Sequence, residues 1–253
     1  MSTVKVRNVV IGEGMPKICV PIVGKTKEDI LKAAAVIKAT RHDVVEWRVD
    51  WFEDAFDFDK VTKVLNELRV LLEDTPLLFT FRTANEGGEK AIDKSYYLIL
   101  NLDVISLNLI DIIDVELFSG DDIVSKIVTK AHANNVKVIA SNHDFDKTPD
   151  KDEILERLIK MQKLGADIPK IAVMPTCKKD VITLLAATEE MATNHNDTPI
   201  ITMSMGSMGL ISRLCGEAFG SALTFGAIGK TSAPGQMNAA DLSKILSLIH
   251  EYI

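Results

Sequence analysis

Apolar positions along the chain follow two alternating periods. Short β-rich runs begin at Lys17 (KICVPI), Val44 (VVEWRVD), Leu77 (LLFTFRT), Ile112 (IIDVEL), Lys137 (KVIASNH), Ile168 (IPKIAVMP), Pro199 (PIITMSM) and Ala222 (ALTFGAI). Between several of them lie longer segments with apolar residues at helical spacing, over 25–38, 95–109, 121–134, 150–164, 178–193 and 238–252, with a shorter one at 209–219. Acidic residues open the segments at Asp121 and Asp150, as suits a helix N-terminus, and Gly165 ends the second of these. The runs recur about every thirty residues, the size of a βα repeat. Eight such units predict a (β/α)8 TIM barrel in a single domain over residues 1–253, with Val4–Ile11 as a short strand or hairpin capping the barrel bottom. An open doubly wound sheet is the alternative, but Pro21-Ile22-Val23-Gly24 is not its glycine-rich first turn.

Within the runs, polar and apolar residues alternate. Glu46, Arg48 and Asp50 oppose Val45, Trp47 and Val49; Thr80 and Arg82 oppose Leu77, Phe79 and Phe81; Asp114 and Glu116 oppose Ile113, Val115 and Leu117. Successive strand side chains point to opposite faces. Helices cover the outside of a barrel, so the charged faces are expected to line its interior. Charges buried there must be paired with one another or with a ligand. A structural ion-pair network accounts well for Asp50, Asp114 and Glu116. It accounts less well for Arg48 and Arg82, which fall late in their strands, where barrel active sites form.

Lys170 breaks the pattern most sharply. It lies in the apolar run Ile168-Pro169-Lys170-Ile171-Ala172-Val173-Met174-Pro175. An ammonium is costly in such a strand, whereas a neutral amine there is a nucleophile for carbonyl groups and forms a Schiff base. His143 closes the preceding strand and is the residue type best suited to move protons near neutral pH. Glu86 follows the third strand, where it is either an ordinary loop residue or a partner that orients the histidine. Arg213 follows the seventh strand on a helix, either as a surface residue or as a fork for a carboxylate. After the eighth strand, Gly229-Lys230-Thr231-Ser232-Ala233-Pro234-Gly235-Gln236 has the small residues of a mobile loop or lid.

Composition narrows the class. The 253 residues are 47% hydrophobic and 26% charged, with a net charge of -7, values that fit a globular chain and argue against a nucleic-acid partner. The start, Met1-Ser2-Thr3-Val4-Lys5, has no apolar core of a signal peptide, and no run reaches the ~18 apolar residues of a membrane span. Cys19, Cys177 and Cys215 have neither metal spacing nor a disulfide pattern and fit a reducing cytoplasm.

Six segments, in order along the chain, closely resemble the type I 3-dehydroquinate dehydratase family, the Schiff-base class of dehydroquinases. They are Glu46-Trp47-Arg48-Val49-Asp50, Phe81-Arg82-Thr83 with Glu86-Gly87-Gly88, Ser141-Asn142-His143-Asp144-Phe145, Lys170 to Pro175, Ser212-Arg213, and Ser232-Ala233-Pro234-Gly235-Gln236. The resemblance implies a barrel, usually a homodimer, that dehydrates 3-dehydroquinate to 3-dehydroshikimate in the shikimate pathway without metal or organic cofactor. It implies Lys170 as the imine-forming residue, His143 as general base and acid, and Glu86 as its orienting partner. It implies Arg213, Ser232 and Gln236 at the substrate carboxylate, and Glu46, Arg48 and Arg82 at the ring hydroxyls. Pro21 departs from the family pattern, in which a small hydroxyl residue is expected. The competing expectations are a class I aldolase, using the late glycines Gly226, Gly229 and Gly235 for a phosphate, and a metal-dependent hydrolase using Glu46, Asp114, Glu116 and His143. A barrel that binds an anion without chemistry leaves Lys170 without a task.

Overall fold

The computed structural model describes residues 2–229 and 231–253; Met1 and Lys230 lie outside the described residues. The chain opens with an antiparallel hairpin of β1 (Val4–Val6) and β2 (Val9–Ile11). Eight parallel strands follow: β3 (Lys17–Ile22), β4 (Val44–Arg48), β5 (Leu77–Thr80), β6 (Ile112–Glu116), β7 (Lys137–Asp144), β8 (Ile168–Val173), β9 (Ile201–Ser204) and β10 (Leu223–Ala227). A short β11 (Met237–Asn238) adds beside β10.

The ring closes between β9 and β10 through the parallel bridge of Ile200 with Ser221. There Ala222 N donates to Ile200 O at 2.8 Å, and Ser221 Oγ accepts from Thr202 N at 3.0 Å. This closure decides for the barrel over the open sheet. The hairpin caps its bottom as expected: Val4, Val6 and Ile11 pack with Cys19, Val44, Leu78, Ile112, Ile139 and Ile168 at the strand starts.

The outer layer consists of α1 (Lys27–Lys38), α2 (Phe58–Leu72), α3 (Lys94–Ser106), α4 (Asp121–Ala133), α5 (Lys151–Lys163), α6 (Lys178–Asn194), α7 (Leu210–Leu214), α8 (Gly216–Phe219) and α9 (Ala239–His250). Two differences from the sequence expectation stand out. The segment 209–219 forms two short helices, α7 and α8, and the helix α2 had not been anticipated. Its signal is present: Asp57 caps Lys60 N, and Val61, Val64, Leu65, Leu68 and Leu72 repeat at helical spacing on the buried face.

The alternation assigns the faces correctly. Val45, Trp47, Phe79, Phe81, Ile113 and Val115 are buried in the layer between strands and helices. Trp47 stands edge-on to Phe79 with ring centroids 5.7 Å apart. Asp50 departs in detail, because β4 ends at Arg48 and Asp50 lies in the 3-10 turn Val49–Trp51. The turn brings its carboxylate back onto the Arg48 guanidinium.

Candidate active site

The upper half of the barrel interior is polar. Glu46, Arg48, Arg82, Glu86, His143, Lys170, Arg213, Ser232 and Gln236, the nine site residues that the family resemblance implies, line one cavity of about 40 Å³, together with Met203, Met205 and Phe225. Register explains the convergence. Ser141 of β7 pairs with Lys170 of β8, and His143 pairs with Ala172, so His143 stands two residues above Lys170 on the adjacent strand. Alternation directs both inward.

Lys170 is 4% exposed. Its Nζ lies 3.6 Å from Asp114 Oδ2 and 4.5 Å from the centroid of the Phe225 ring. The lysine of the apolar strand is therefore not isolated; a carboxylate and an aromatic face receive its charge. Asp114 Oδ2 has no hydrogen-bond partner, while Oδ1 accepts from Arg82 Nη2 and Ser141 Oγ, each at 2.7 Å. Burial works against the Asp114 charge, but the Arg82 and Lys170 cations outweigh it and hold the carboxyl below its usual range.

Arg82 is the hub of the network. Its Nη1 donates to Glu116 Oε1 at 2.9 Å and to Ser141 Oγ at 3.0 Å, and lies 3.5 Å from Glu86 Oε2. Burial acts against this cation, yet three carboxylates raise its pKa above the ordinary arginine value. A guanidinium thus pairs with Asp114 and Glu116, two of the four residues that the metal-hydrolase expectation assigned to an ion. Arg48 is gripped by Asp50 through Nε and Nη2, both at 2.8 Å, which leaves Nη1 for the loop carbonyl of Ser232 at 3.4 Å. Glu46 accepts from Thr80 Oγ1 at 2.8 Å. Pro21, paired in register with Glu46, is buried and offers no hydroxyl.

Glu86 and His143 form a pair. Glu86 Oε2 accepts the His143 backbone N–H and faces Nδ1, both at 2.9 Å. An acceptor in that place holds a proton on Nδ1 and leaves Nε2 as the basic atom. Burial, with the Arg82, Lys170 and Arg48 cations, pushes the His143 pKa well below 6.5, so the imidazole is neutral and competent as a base. Burial, with the nearby Glu116 and Asp114, pushes Glu86 upward, against Arg82 and a hydrogen bond donated by the Asn142 amide. The loop carrying Glu86 needs its glycines. A Cβ on Gly88 would stand 1.9 Å from Arg82 O, and Gly87 takes φ +80° with the Phe145 ring against it.

Arg213 is 1% exposed and has no acidic partner among the described residues. Its Nη2 donates to Pro234 O at 3.1 Å, Nη1 faces Met203 Sδ at 3.5 Å, and Nε has no partner. Burial alone pushes its pKa down to about 10. The 231–236 loop folds over this rim. Ser232 N donates to Gln236 Oε1 at 2.8 Å and Gln236 Nε2 to Ser232 Oγ at 2.9 Å. Two of the late glycines serve close packing: a Cβ on Gly235 would stand 2.4 Å from Gly206 O, and one on Gly226 2.9 Å from Ala239 Cα, whereas Gly229 takes φ +72° with no atom within 4 Å of such a Cβ. Sequence reasoning missed Phe225 as the ring beneath Lys170 and read Asp114 as a structural charge or a metal ligand, not as the partner of Lys170; neither contact leaves a local signal.

A barrel that gathers a buried lysine, a histidine–carboxylate pair and an arginine without a counter-charge at one rim is built as a lyase for anionic carbonyl compounds. The model of the type I 3-dehydroquinase family matches residues 18–253. The 3-dehydroquinate dehydratase of Clostridioides difficile is 57% identical over 250 residues, covering 99% of this chain and 98% of that protein. A crystal structure of the type I enzyme from Clostridium difficile, with covalently modified comenic acid, is 56% identical with a TM-score of 0.97, covering 100% of this chain and 99% of the other. The 3-dehydroquinate dehydratase of Geobacillus kaustophilus is 37% identical with a TM-score of 0.95, covering 99% and 97%. The chain belongs to the type I 3-dehydroquinase family.

Proposed function

We propose that Lys170 carries the imine through which this chain, a hydro-lyase of the shikimate pathway, converts 3-dehydroquinate to 3-dehydroshikimate. The neutral Lys170 amine adds to the C3 ketone, and water leaves with uptake of one proton from solvent, forming a protonated imine; that proton is released again when the product imine is hydrolysed. That group withdraws electrons and acidifies the neighbouring C2–H. His143 Nε2 takes the C2 proton to give an enamine. The enamine expels the C1 hydroxyl, which His143 protonates as it departs as water. A second water hydrolyses the new imine and frees Lys170. Covalent attachment divides one difficult elimination into easier steps.

Arg213, with no carboxylate of its own, receives the substrate carboxylate, and Ser232 and Gln236 close the loop over it. Glu46, Arg48 and Arg82 address the ring hydroxyls. Glu86 holds the His143 tautomer. We propose further that the enzyme is a homodimer in the cytoplasm. The resemblance supports the dimer, and the free thiols of Cys19, Cys177 and Cys215 fit a reducing compartment. No described helix is long and apolar enough to cross a membrane.

The observation that carries the reading is the single cavity in which buried Lys170 meets the His143–Glu86 pair and the unpaired Arg213. The test is formation of the conjugated enone from 3-dehydroquinate, followed by its ultraviolet absorbance, for the wild type and Lys170→Met. Turnover by the wild type and none by the variant is expected. An inactive wild type, or a variant that turns over normally, overturns the proposal.

A further inference from the structure

A second cleft, of about 540 Å³, shares Glu86, Gly87, His143 and Phe145 with the catalytic cavity but does not include Lys170. Asn142 and Arg157 line it. Neither has a part in the chemistry above. Ser141 and His143 face the barrel interior, so Asn142 between them points to the outer side of the strand. It is 2% exposed, and both ends of its carboxamide are engaged. Its Oδ1 accepts from Arg157 Nη1 at 2.7 Å, and its Nδ2 donates to Glu86 Oε1 at 3.3 Å.

Arg157 arrives from α5 and is well held. Its Nη2 bonds Glu153, its guanidinium carbon lies 5.3 Å over the Phe118 ring, and its Nη1 is 3.9 Å from Asp144 Oδ2. A guanidinium only donates. It therefore accepts only one orientation of the Asn142 amide, the one with oxygen toward Arg157 and NH2 toward Glu86. The flipped amide would place its oxygen against the Glu86 carboxylate, acceptor against acceptor. The contacts run in one line: Arg157 to Asn142, Asn142 to Glu86, Glu86 to His143.

We propose that Arg157 is a positioning residue for the reaction, acting through Asn142 to hold the Glu86 carboxyl group aimed at His143. The inference rests on the roles assigned to Glu86 and His143 above. Other charges also face the pair: Arg82 from the end of β5, Asp114 and Glu116 from β6, and Lys170 and Arg48 across the cavity. Arg157 itself faces Asp144 and Glu153. Replacing Arg157 leaves the groups around the pair in place but frees Asp144 and Glu153, so the comparison with the Asn142→Ala background separates the amide route from those losses.

The sign follows from the amide. Without Arg157 the amide is held from one side only, its hydrogen bond to Glu86 weakens, and Glu86 protonation shifts to higher pH. The test measures kcat, KM and their pH dependence for Arg157→Met, Arg157→Lys, Asn142→Ala and the double variant Arg157→Met/Asn142→Ala. The Met variant is expected to lose about tenfold in kcat, the lower end of what one hydrogen bond to a charged group is worth. Its KM should stay within about twofold, and the acid limb of its kcat profile should move to higher pH. The Lys variant, which keeps a donor, should recover part of both and supplies the comparison if the Met variant does not fold. In the Asn142→Ala background the Met substitution should change kcat by less than about 1.5-fold, the signature of two residues acting in series. Equal loss in both backgrounds, or an unmoved acid limb, overturns the proposal. Borohydride capture of the Lys170 imine should be normal throughout; its loss from the wild type would instead strike the underlying mechanism.

Discussion

Replacing Arg213 with Met should make the free enzyme more stable and nearly unable to hold its substrate. Arg213 is 1% exposed, lacks an acidic partner among the described residues, and has its pKa pushed down to about 10 by burial. It stays charged at neutral pH, so the folded state bears the cost of a desolvated cation at every pH below about 10. At ~1.4 kcal/mol per tenfold, a fall of that size from the ordinary arginine value is ~3 kcal/mol. Methionine keeps the apolar stem against Met203, removes the charge and forfeits the hydrogen bond to Pro234 O. With that bond set at ~1 kcal/mol, the net gain is ~2 kcal/mol. In a chain of this length, that is a rise in melting temperature of roughly 4–8 °C.

Binding moves the other way. A ligand carboxylate pairs with the buried cation and recovers its desolvation cost, so truncating Arg213 should weaken binding by ~3 kcal/mol, about a hundredfold. The assay is thermal denaturation of wild type and variant, each with and without saturating 3-dehydroshikimate, together with calorimetric titration. The variant should melt higher alone and gain little from ligand. A variant that melts lower alone yet keeps the full ligand-induced rise would refute the claim that Arg213 is an unpaired cation awaiting an anion.

Two other outcomes follow from the site. His143→Ala should reduce turnover by roughly 10²–10⁴-fold while imine formation persists, because the base acts after attachment; single-turnover mass spectrometry shows this directly, and an absent imine would assign His143 to an earlier step. Asp114 has a folded pKa below 3.8, so it contributes stability that is fully present above that value and lost as pH falls through the folded value. In urea denaturation, the stability difference between wild type and Asp114→Asn should be constant from about pH 8 to 5 and shrink only below about pH 4. A difference that fades near neutrality would contradict the ionised state assigned to it.

The fold was legible because each barrel strand carries its own burial signal. The runs at Lys17, Val44, Leu77, Ile112, Lys137 and Ile168 start where β3 to β8 start. Parity then gave the interior face, since one residue of slip would have moved Glu46, Arg48, Asp114 and Lys170 outward together. Type and place singled out the rim residues, with Glu86 and Arg213 open to ordinary roles, and the roles assigned to them came from the family resemblance. What stayed hidden depends on contacts between distant segments. Phe225 beneath Lys170 joins residues from β10 and β8, and Arg157 reaches Asn142 from a helix whose sequence reads as an ordinary charged surface. Asp50 was legible as a buried charge, but its grip on Arg48 depends on the 3-10 turn that ends β4 early. The helix α2 carries its own signal in the sequence, an Asp57 cap and an apolar stripe from Val61 to Leu72.

The central claim is that Lys170 bonds covalently to the substrate ketone. Incubation with 3-dehydroquinate and sodium borohydride, followed by peptide mass spectrometry, tests it most directly. The account predicts a reduced adduct on the peptide containing Lys170, its absence in Lys170→Met, and loss of activity in step with labelling. Full activity without an adduct, or an adduct on any other lysine, would contradict it.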